Sequence, residues 1–414
     1  MKAQHRICAT AAMLMFALPA IANDDIRFEG FPDYDSQLEK VLPDFQEQSG
    51  LSVDVLMNEW EEHHNRLTTT LGTGRGAGDV VLIDVGQIGG FVGDVGEGGL
   101  LELSERFDGL DDEFADYAVR QGQSPEGNQY GIPVDIGPGV MYYRRDLMED
   151  AGYDIDDVTD SWEGYLEYGR WLRDEHDTLL IGNASSVAQA IIFTEVDEGE
   201  GFYFDHNGDS LITSDRFVRA FEMALTIREE GLDGRVNDWT EDWYEGFKDG
   251  SFATELSGAW LLGHLQNWIA PETAGEWGVE GLPAGRYGSW GGAFLAIPEQ
   301  SDNHDEAWEM IEYLVSQDTQ IRGFENIAAF PANTETYDHP MFDEDIEFLR
   351  GQKARQLFAE IAENIEPVTP HDGDHIAYDL VIEDALARVL DDGVDVMDAL
   401  EEAEQQLMRR LRRL

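Results

Sequence analysis

The stretch 131–152 constrains the fold of this chain more than any other. It reads GIPVDIGPGVMYYRRDLMEDAG. Its prolines and glycines disfavour a helix, so we expect a fixed, extended segment that leads into an apolar β-type run at 140–143. Such a segment predicts a crossing between two bodies of the protein. Asp135 lies inside it and is either a ligand-binding carboxylate or a turn residue that bonds its own backbone.

The first residues have the pattern of a secretory signal peptide. Lys2 and Arg6 precede an apolar run at 7–18, which is followed by the small-residue cleavage pattern 20–22. We expect residues 1–22 to be removed and the mature protein to be exported. The only cysteine, Cys8, lies inside this segment and not at the position of a lipid-anchored cysteine. The mature chain is therefore expected to have no disulfide, thiolate metal site or cysteine nucleophile.

The charge balance is strongly acidic. The 86 acidic and 27 basic residues give a formal net charge of −59, which becomes −61 once Lys2 and Arg6 are removed. Self-repulsion of this size opposes compaction in dilute buffer, yet a content of 42% hydrophobic residues indicates a buried core. At about 1 M salt the Debye length is about 3 Å, so surface carboxylates no longer repel one another strongly. We therefore interpret the chain as a halophile's protein with an acidic surface. The charge argues against nucleic acid as a partner.

The first part of the chain predicts alternating strands and helices. Strands are expected at 27–31, 51–57 and 79–84, and helices at 38–45 and 60–71. Strand, helix, strand in this order begins a parallel sheet. Ligands of open α/β sheets bind outside the carboxyl ends of strands, so Asp84 is a candidate binding residue. Its alternative role is to cap the helix that follows.

Two tryptophans later in the chain are predicted to lie next to the ends of strands. Trp260 follows a buried strand at 252–257, and Trp290 precedes Gly291 and Gly292 just before another strand. The Trp290 segment and the segment 328–333 predict a second and a third extended crossing. Core packing is the default alternative for any one of the ten tryptophans.

Two other motifs do not indicate a cofactor or a metal. The glycine-rich run 72–78 lacks the Gly-Lys-Ser/Thr of a phosphate loop and does not open a helix after a strand. Residues 205–209 resemble half of a calcium loop, but the later bidentate acid is missing, so a tight turn is favoured. We predict no cofactor, no metal site and no catalytic residue.

Together the motifs resemble the extracellular solute-binding proteins of ABC importers, specifically the carbohydrate-binding, maltose-binding-protein-like group of family 1. The motifs are GIPVDIGPG, YYRRDL and AG within 131–152, DVVLID at 79–84, SGAW at 257–260, WGGAFLAIP at 290–298 and FPAN at 330–333. Each motif is weak alone, but in this order they cover nearly the whole mature chain.

The resemblance implies an α/β fold of the type II periplasmic-binding-protein-like class. Two α/β lobes would enclose a ligand cleft and be joined by three hinge crossings. Lobe 1 would comprise 23–133 and 293–327, lobe 2 would comprise 137–289 and 332–414, and the hinges would lie near 134–136, 290–292 and 328–331. The implied ligand-binding residues are Asp84, Asp135, Trp260, Trp290, Gly291, Gly292, Trp60 and His64.

The implied function is capture of a mono- or oligosaccharide in the periplasm and its delivery to the membrane subunits of an ABC permease. The protein would act as a monomer, without a lipid anchor and without catalysis. Tryptophans would cover the C–H face of a sugar ring, and carboxylates would accept hydrogen bonds from its hydroxyl groups. Two alternatives remain open. The same fold could bind a polyamine, peptide or anion, and a secreted glycan-degrading enzyme could use paired carboxylates.

Overall fold

The computed structural model describes residues 25–32, 34–92, 99–197, 199–327, 329–368 and 370–412. The predicted signal peptide and Ala328 of the third predicted crossing lie outside them. The strands are β1 (Asp25–Gly30), β2 (Ser52–Met57), β3 (Val80–Asp84), β4 (Ile132–Arg144), β5 (Leu179–Ile181), β6 (Phe252–Gly258), β7 (Trp277–Gly281), β8 (Ser289–Ala296) and β9 (Phe330–Pro331).

The helices alternate with these strands and dominate the C-terminal part. They are α1 (Tyr34–Ser49), α2 (Trp60–Thr73), α3 (Val85–Ile88), α4 (Ser104–Phe107), α5 (Asp116–Gln121), α6 (Arg145–Ala151), α7 (Ile155–Thr159), α8 (Trp162–His176), α9 (Ser185–Thr194), α10 (Asp215–Glu229), α11 (Glu241–Asp249), α12 (Leu261–His264), α13 (His304–Val315), α14 (Gln317–Ile327), α15 (Ala354–Asn364), α16 (Asp374–Tyr378), α17 (Leu386–Asp392) and α18 (Val396–Leu411). In the described residues no helix is both long and apolar enough to span a membrane.

The strands form one continuous sheet in the order β2-β1-β3-β8-β4-β6-β5, and β7 and β9 also pair with β4. Strand β1 runs parallel to both β2 and β3, which confirms the predicted parallel start. Strands β8 and β4 are antiparallel to their neighbours. The sheet is therefore parallel at its two ends and antiparallel where the chain crosses between them.

The three predicted crossings lie side by side in this sheet. Strand β4 pairs with β8 through Asp135 and Ala293, and with β9 through Asp135 and Pro331. Asp135 is thus a strand residue, so its alternative role in a turn is wrong. Trp290 was expected just before a strand but lies inside β8, because the positive φ angles of Gly291 and Gly292 bend the strand without ending its pairing.

The core is apolar on both faces of the sheet. Val80 and Leu82 belong to one cluster, which continues across the crossings to Val140 and Tyr142. The alternate residues of β3, Val81 and Ile83, belong to a second cluster. Those of β4, Met141 and Tyr143, belong to a third cluster, which is built largely from helices α6–α10 and α16–α18. Burial on both faces explains why the strands read as continuous apolar runs.

The residues 205–209 form the predicted tight turn. Phe204 and Ser210 pair across it, and the Asp205 carboxylate accepts hydrogen bonds from the N–H groups of Asn207 and Asp209. The carboxylate therefore closes its own turn.

Candidate functional site

Two buried histidines fix helix α2 to the end of strand β3. His63 Nε2 lies 2.7 Å from the Leu82 carbonyl oxygen, and His64 Nε2 accepts the Asp84 backbone N–H at 3.2 Å. His64 Nδ1 lies 2.8 Å from the Trp60 carbonyl oxygen, so the ring proton sits on Nδ1. Burial lowers the pKa of His64 to about 4, which keeps the imidazole in the neutral form that both contacts need.

His64 therefore positions its neighbours. Its side chain is 4% exposed, and its ring packs against that of Trp60 with 4.6 Å between the centroids. The alternative of a surface histidine is wrong, because α2 turns this residue toward the sheet. Its predicted contact with ligand would need a ring that reaches the cleft, whereas both of its nitrogens already bond the protein backbone.

Asp84 ends strand β3 and caps helix α3. Its Oδ1 accepts the Gly86 backbone N–H at 2.8 Å, as the capping alternative predicted. The residue is nevertheless only half-buried. Burial raises the pKa of Asp84 to about 6, although hydrogen bonds from Gly86 and from the Trp60 side chain act in the opposite direction. Capping and a role in the cleft are thus compatible.

Asp84 and Asp135 lie on one face of the sheet. Both pair with Ala293 of β8, from opposite sides. Directly paired residues point to the same face, so two strand spacings, about 9–10 Å, separate the two backbones with a small side chain between them. Burial, followed by the negative charge of Asp84, raises the pKa of Asp135 to about 7, against a lowering hydrogen bond from the Ala293 backbone.

Glycines and a second tryptophan shape the Trp290 segment. Gly291 and Gly292 have φ angles of +92° and +128°. The indole N–H of Trp260 donates to the Trp290 carbonyl oxygen at 2.8 Å, and a Cβ on Gly291 would lie only 2.9 Å from that indole nitrogen. Trp239 stacks on Trp260 with 5.5 Å between centroids and 17° between planes. Trp260 is thus held by protein contacts and supports Trp290.

A cavity of about 260 Å³ lies where these elements meet. Of the predicted site residues, it is lined by Trp60, Asp84, Trp290 and Gly291. Trp60 is 42% exposed, so much of its ring is free. The other four, Asp135, Gly292, Trp260 and His64, are not part of this wall. Trp260 bonds the Trp290 carbonyl oxygen, His64 bonds the Asp84 backbone, and Asp135 pairs with Ala293 next to Gly292.

The rest of the wall was not predicted from the sequence, and most of it comes from the proposed lobe 2. The polar and aromatic residues of this part are Gln87, Gln121, Gln189, Phe193, Phe202, Tyr203, Ser289, Asp374 and Tyr378. Gln189 and Phe193 lie one turn apart on α9, and Asp374 and Tyr378 lie one turn apart on α16. These helices are far apart in the sequence, so no spacing links one of them to the other. The three aromatic residues within 193–203 were the one local signal that could have been noticed.

Two of the missed residues have polar atoms without a protein partner. Tyr203 is 2% exposed, and its hydroxyl forms no hydrogen bond within the described part of the chain. Asp374 accepts the His371 N–H through Oδ2 at 2.8 Å, whereas its Oδ1 has no such partner there. Burial raises the pKa of Asp374 to about 7. The cavity wall thus combines aromatic rings with polar side chains such as Gln87, Gln189 and Asp84, which suits a ligand that is both apolar and rich in hydroxyls.

The model of the bacterial extracellular solute-binding protein family matches residues 40–350. The chain belongs to this family. An arabinooligosaccharide-binding protein of Halalkalibacterium halodurans is 24% identical over 323 residues, which cover 75% of this chain and 71% of that protein.

Solved structures of extracellular solute-binding proteins share the fold. A protein of family 1 superposes with a TM-score of 0.81 at 21% identity, covering 93% of this chain and 99% of that one. The ABC transporter associated binding protein from B. animalis subsp. lactis, in complex with β-1,6-galactobiose, gives a TM-score of 0.75 at 22% identity, covering 94% and 97%. The predicted fold class is confirmed.

Proposed function

We propose that this extracellular solute-binding protein captures a sugar in its cleft and delivers it to the membrane subunits of an ABC importer. The observation that carries the proposal is the single cavity that joins the rings of Trp60 and Trp290 to the Asp84 carboxylate. The binding of an arabinooligosaccharide and of β-1,6-galactobiose by similar proteins supports the same ligand class.

Each lining residue has a role in this proposal. Trp60 and Trp290 cover the C–H faces of a sugar ring, and an ionised Asp84 accepts hydrogen bonds from its hydroxyl groups, worth roughly 1.5–3 kcal/mol each. Asp135, on the same face of the sheet two strands away, adds negative charge beside Asp84 when it is ionised. His64 and Trp260 act through the residues that they hold in place.

Closure of the cleft would follow from the position of the site. Trp60 and Asp84 belong to the proposed lobe 1 (23–133 and 293–327), whereas Tyr203 and Asp374 belong to the proposed lobe 2 (137–289 and 332–414). A ligand that touches both walls binds the closed arrangement more tightly and so shifts the population toward it. The permease then recognises the closed, loaded form.

The proposed location is the periplasm, in a form without a lipid anchor. This part of the proposal rests on the signal-peptide pattern at 1–22 and on the absence of cysteine after Cys8.

A matched pair of tryptophan variants tests the proposal. Sugar binding should raise the melting temperature of the wild-type protein at high salt, because ligand binds only the folded state. Trp60→Ala should weaken binding by about 10-fold or more, since it removes a stacking face. Trp268→Ala is the control, because Trp268 is 49% exposed and does not line the cavity.

The rivals give different results in the same samples. Release of reducing sugar by the pure protein would favour the enzyme, and the catalytic carboxylates would then be sought at Asp84 and Asp135. A shift of the melting temperature with polyamines, peptides or anions, but with no sugar, would overturn the carbohydrate assignment.

A further inference from the structure

The end of helix α18 carries the densest cluster of basic residues in the described part of the chain. Arg409, Arg410 and Arg412 lie there within four consecutive positions, and all three are exposed. The C-terminus of a helix carries a partial charge of about −0.5, so one cation is enough to offset it. The helix dipole therefore does not account for three arginines.

The cluster lacks the acidic partners that most other cations of the protein have. Gln405 and Gln406 stand four positions before Arg409 and Arg410, where an acid on the same helix face would pair with each of them. Within the described residues none of the three arginines forms an ion pair.

The acids next to the cluster bond other groups. Arg388 of α17 pairs with Glu402 of α18 at 2.8 Å, and Glu404 accepts a hydrogen bond from the Thr213 hydroxyl at 3.4 Å. The chain has 86 acidic and only 27 basic residues, so three neighbouring arginines without an acid are an exception in it. Their charge is available to an anion from outside the protein.

The protein holds this end of the helix in place. Leu407 is fully buried, and Leu411 packs so closely on Gly373 that a Cβ there would lie 2.8 Å from the Leu411 Cδ2. Met408 is 39% exposed and lies one turn before Arg412, on the same side of the helix. We call Met408 and the three arginines the α18 tip. The tip presents guanidinium groups beside an apolar side chain.

These features fit the surface of a lipid bilayer. A guanidinium binds a phosphate group through two parallel hydrogen bonds, and each lipid headgroup offers such a phosphate independently. Apolar side chains among basic ones enter the boundary between headgroups and acyl chains.

A partner protein fits the α18 tip less well than a bilayer does. A stable protein–protein interface takes about 800 Å² and about 20–30 residues from each side. The tip has four residues, and Glu401, Glu402 and Glu404 lie directly behind it on α18. A contact of the usual size would therefore include acidic surface as well, and a second copy of this chain would repel it.

The acidic body of the protein does not prevent a membrane contact at high salt. Glu404 lies about 7 Å behind Arg409 along the helix axis, at a rise of about 1.5 Å per residue. At about 1 M salt the Debye length is about 3 Å. Repulsion between the headgroups and the acidic body is therefore largely screened when only the tip touches the membrane.

We propose that the α18 tip binds the anionic headgroups of a phospholipid bilayer and so holds the protein at the membrane surface. The three arginines bind the phosphates, and Met408 lies between the headgroups. The tip does not line the cavity described above, so the contact leaves the solute site free. The proposal goes beyond solute capture and holds whichever solute the cleft binds.

Co-sedimentation with lipid vesicles at 1 M NaCl tests the membrane contact. The protein used is the proposed mature chain, residues 23–414, which lacks the apolar run 7–18. It should partition onto phosphatidylglycerol vesicles at least about 5-fold more strongly than onto phosphatidylcholine vesicles, because only the former carry a net negative charge. The triple variant Arg409→Gln, Arg410→Gln, Arg412→Gln should lose this preference.

A second triple variant, Lys40→Gln, Arg75→Gln, Arg235→Gln, is the matched control. It removes the same charge from three scattered, exposed positions and should bind phosphatidylglycerol vesicles as the wild-type protein does. No preference of the wild-type protein for phosphatidylglycerol, or an equal loss in both triple variants, would overturn the proposal. So would a dimer in size-exclusion chromatography that needs the tip arginines while no vesicle binding occurs.

Solute binding is measured in the same samples by titration calorimetry. It should be unchanged in both triple variants, because none of the six positions lines the cavity. Failure of vesicle binding with intact sugar binding would therefore overturn the membrane contact and leave the proposed function standing.

Discussion

At the scale of single residues, the site combines carboxyl groups that the surrounding protein keeps partly protonated. Burial raises the pKa of Asp84 to about 6 and, together with the charge of Asp84, that of Asp135 to about 7. A carboxyl whose folded pKa exceeds its unfolded value favours the folded state at low pH, and this advantage is lost as the pH rises through the folded pKa. Ionising the two groups therefore destabilises the unliganded protein.

This linkage predicts how Asp135→Asn changes stability. The melting temperature of the unliganded wild-type protein should fall as the pH rises from 5 to 8, and the variant should show a smaller fall. At pH 8 the variant should melt about 1 °C higher for each kcal/mol that it gains, because the melting entropy of a chain of this length is large. Thermal unfolding at constant high salt measures both trends.

The control for this prediction is Glu222→Gln, an exposed substitution on helix α10. It removes one negative charge without touching the cleft and should leave the pH dependence unchanged. If Asp135→Asn and Glu222→Gln gave the same profile, the pH dependence would belong to the whole surface and not to the cleft.

How much of the site the sequence could predict depends on what each residue touches. Three of the predicted residues line the cavity. Asp84 ends a strand, Trp60 begins a helix, and Trp290 precedes two glycines. Each of these positions can be recognised in the sequence. Trp260 and His64 are also predicted to bind the ligand, and their ring nitrogens bond the backbone of neighbouring residues, which the sequence does not indicate. Tyr203 belongs to the aromatic group within 193–203, whereas Asp374 left no signal, since its place in the cleft depends on how α16 packs against distant parts of the chain.

At the scale of secondary structure, strands β4 and β8 must approach each other unusually closely. Gly137 of β4 lies against Trp290, and a Cβ at this position would lie 2.0 Å from the Trp290 carbonyl oxygen. The pairing of β4 with β8 also shifts register beside it, between Ile136 and Pro138. The strand prediction for this stretch was correct, but the close approach depends on a partner strand about 150 residues away and could not be read locally.

Two glycine-to-alanine variants test this account of the crossing. Gly137→Ala should lower the free energy of unfolding by about 1–3 kcal/mol, because β4 and β8 must separate, and should also weaken sugar binding by displacing Trp290. Gly72→Ala should instead raise the free energy of unfolding by about 0.5–1 kcal/mol. Gly72 lies inside helix α2, and no atom lies within 4 Å of the new Cβ. Denaturant unfolding and titration calorimetry measure the two effects. Wild-type stability in Gly137→Ala would contradict the close approach.

At the scale of the whole molecule, the surface charge sets the conditions in which this architecture is stable. With 86 acidic and 27 basic residues, at least 59 carboxyl groups have no basic partner of their own. The ion pairs that do form are mostly at the surface, and such pairs each contribute about 0–1 kcal/mol. Local pairing therefore cannot offset the repulsion, and mobile counterions must screen it.

Stability should consequently rise with ionic strength. Between 0.1 M and 1 M salt the Debye length falls from about 10 Å to about 3 Å, so repulsion between surface carboxylates is largely removed. The melting temperature should increase over this range by more than about 5 °C, and NaCl and KCl should act equally at equal ionic strength. Sorbitol at the same osmolality should have a smaller effect, because it does not screen charge.

The affinity for a neutral sugar should change little between 1 M and 2 M salt, whereas a polyamine bound through the cleft carboxylates would lose affinity. A melting temperature that does not respond to salt would contradict the screening account, and salt-sensitive binding would favour the cationic ligand.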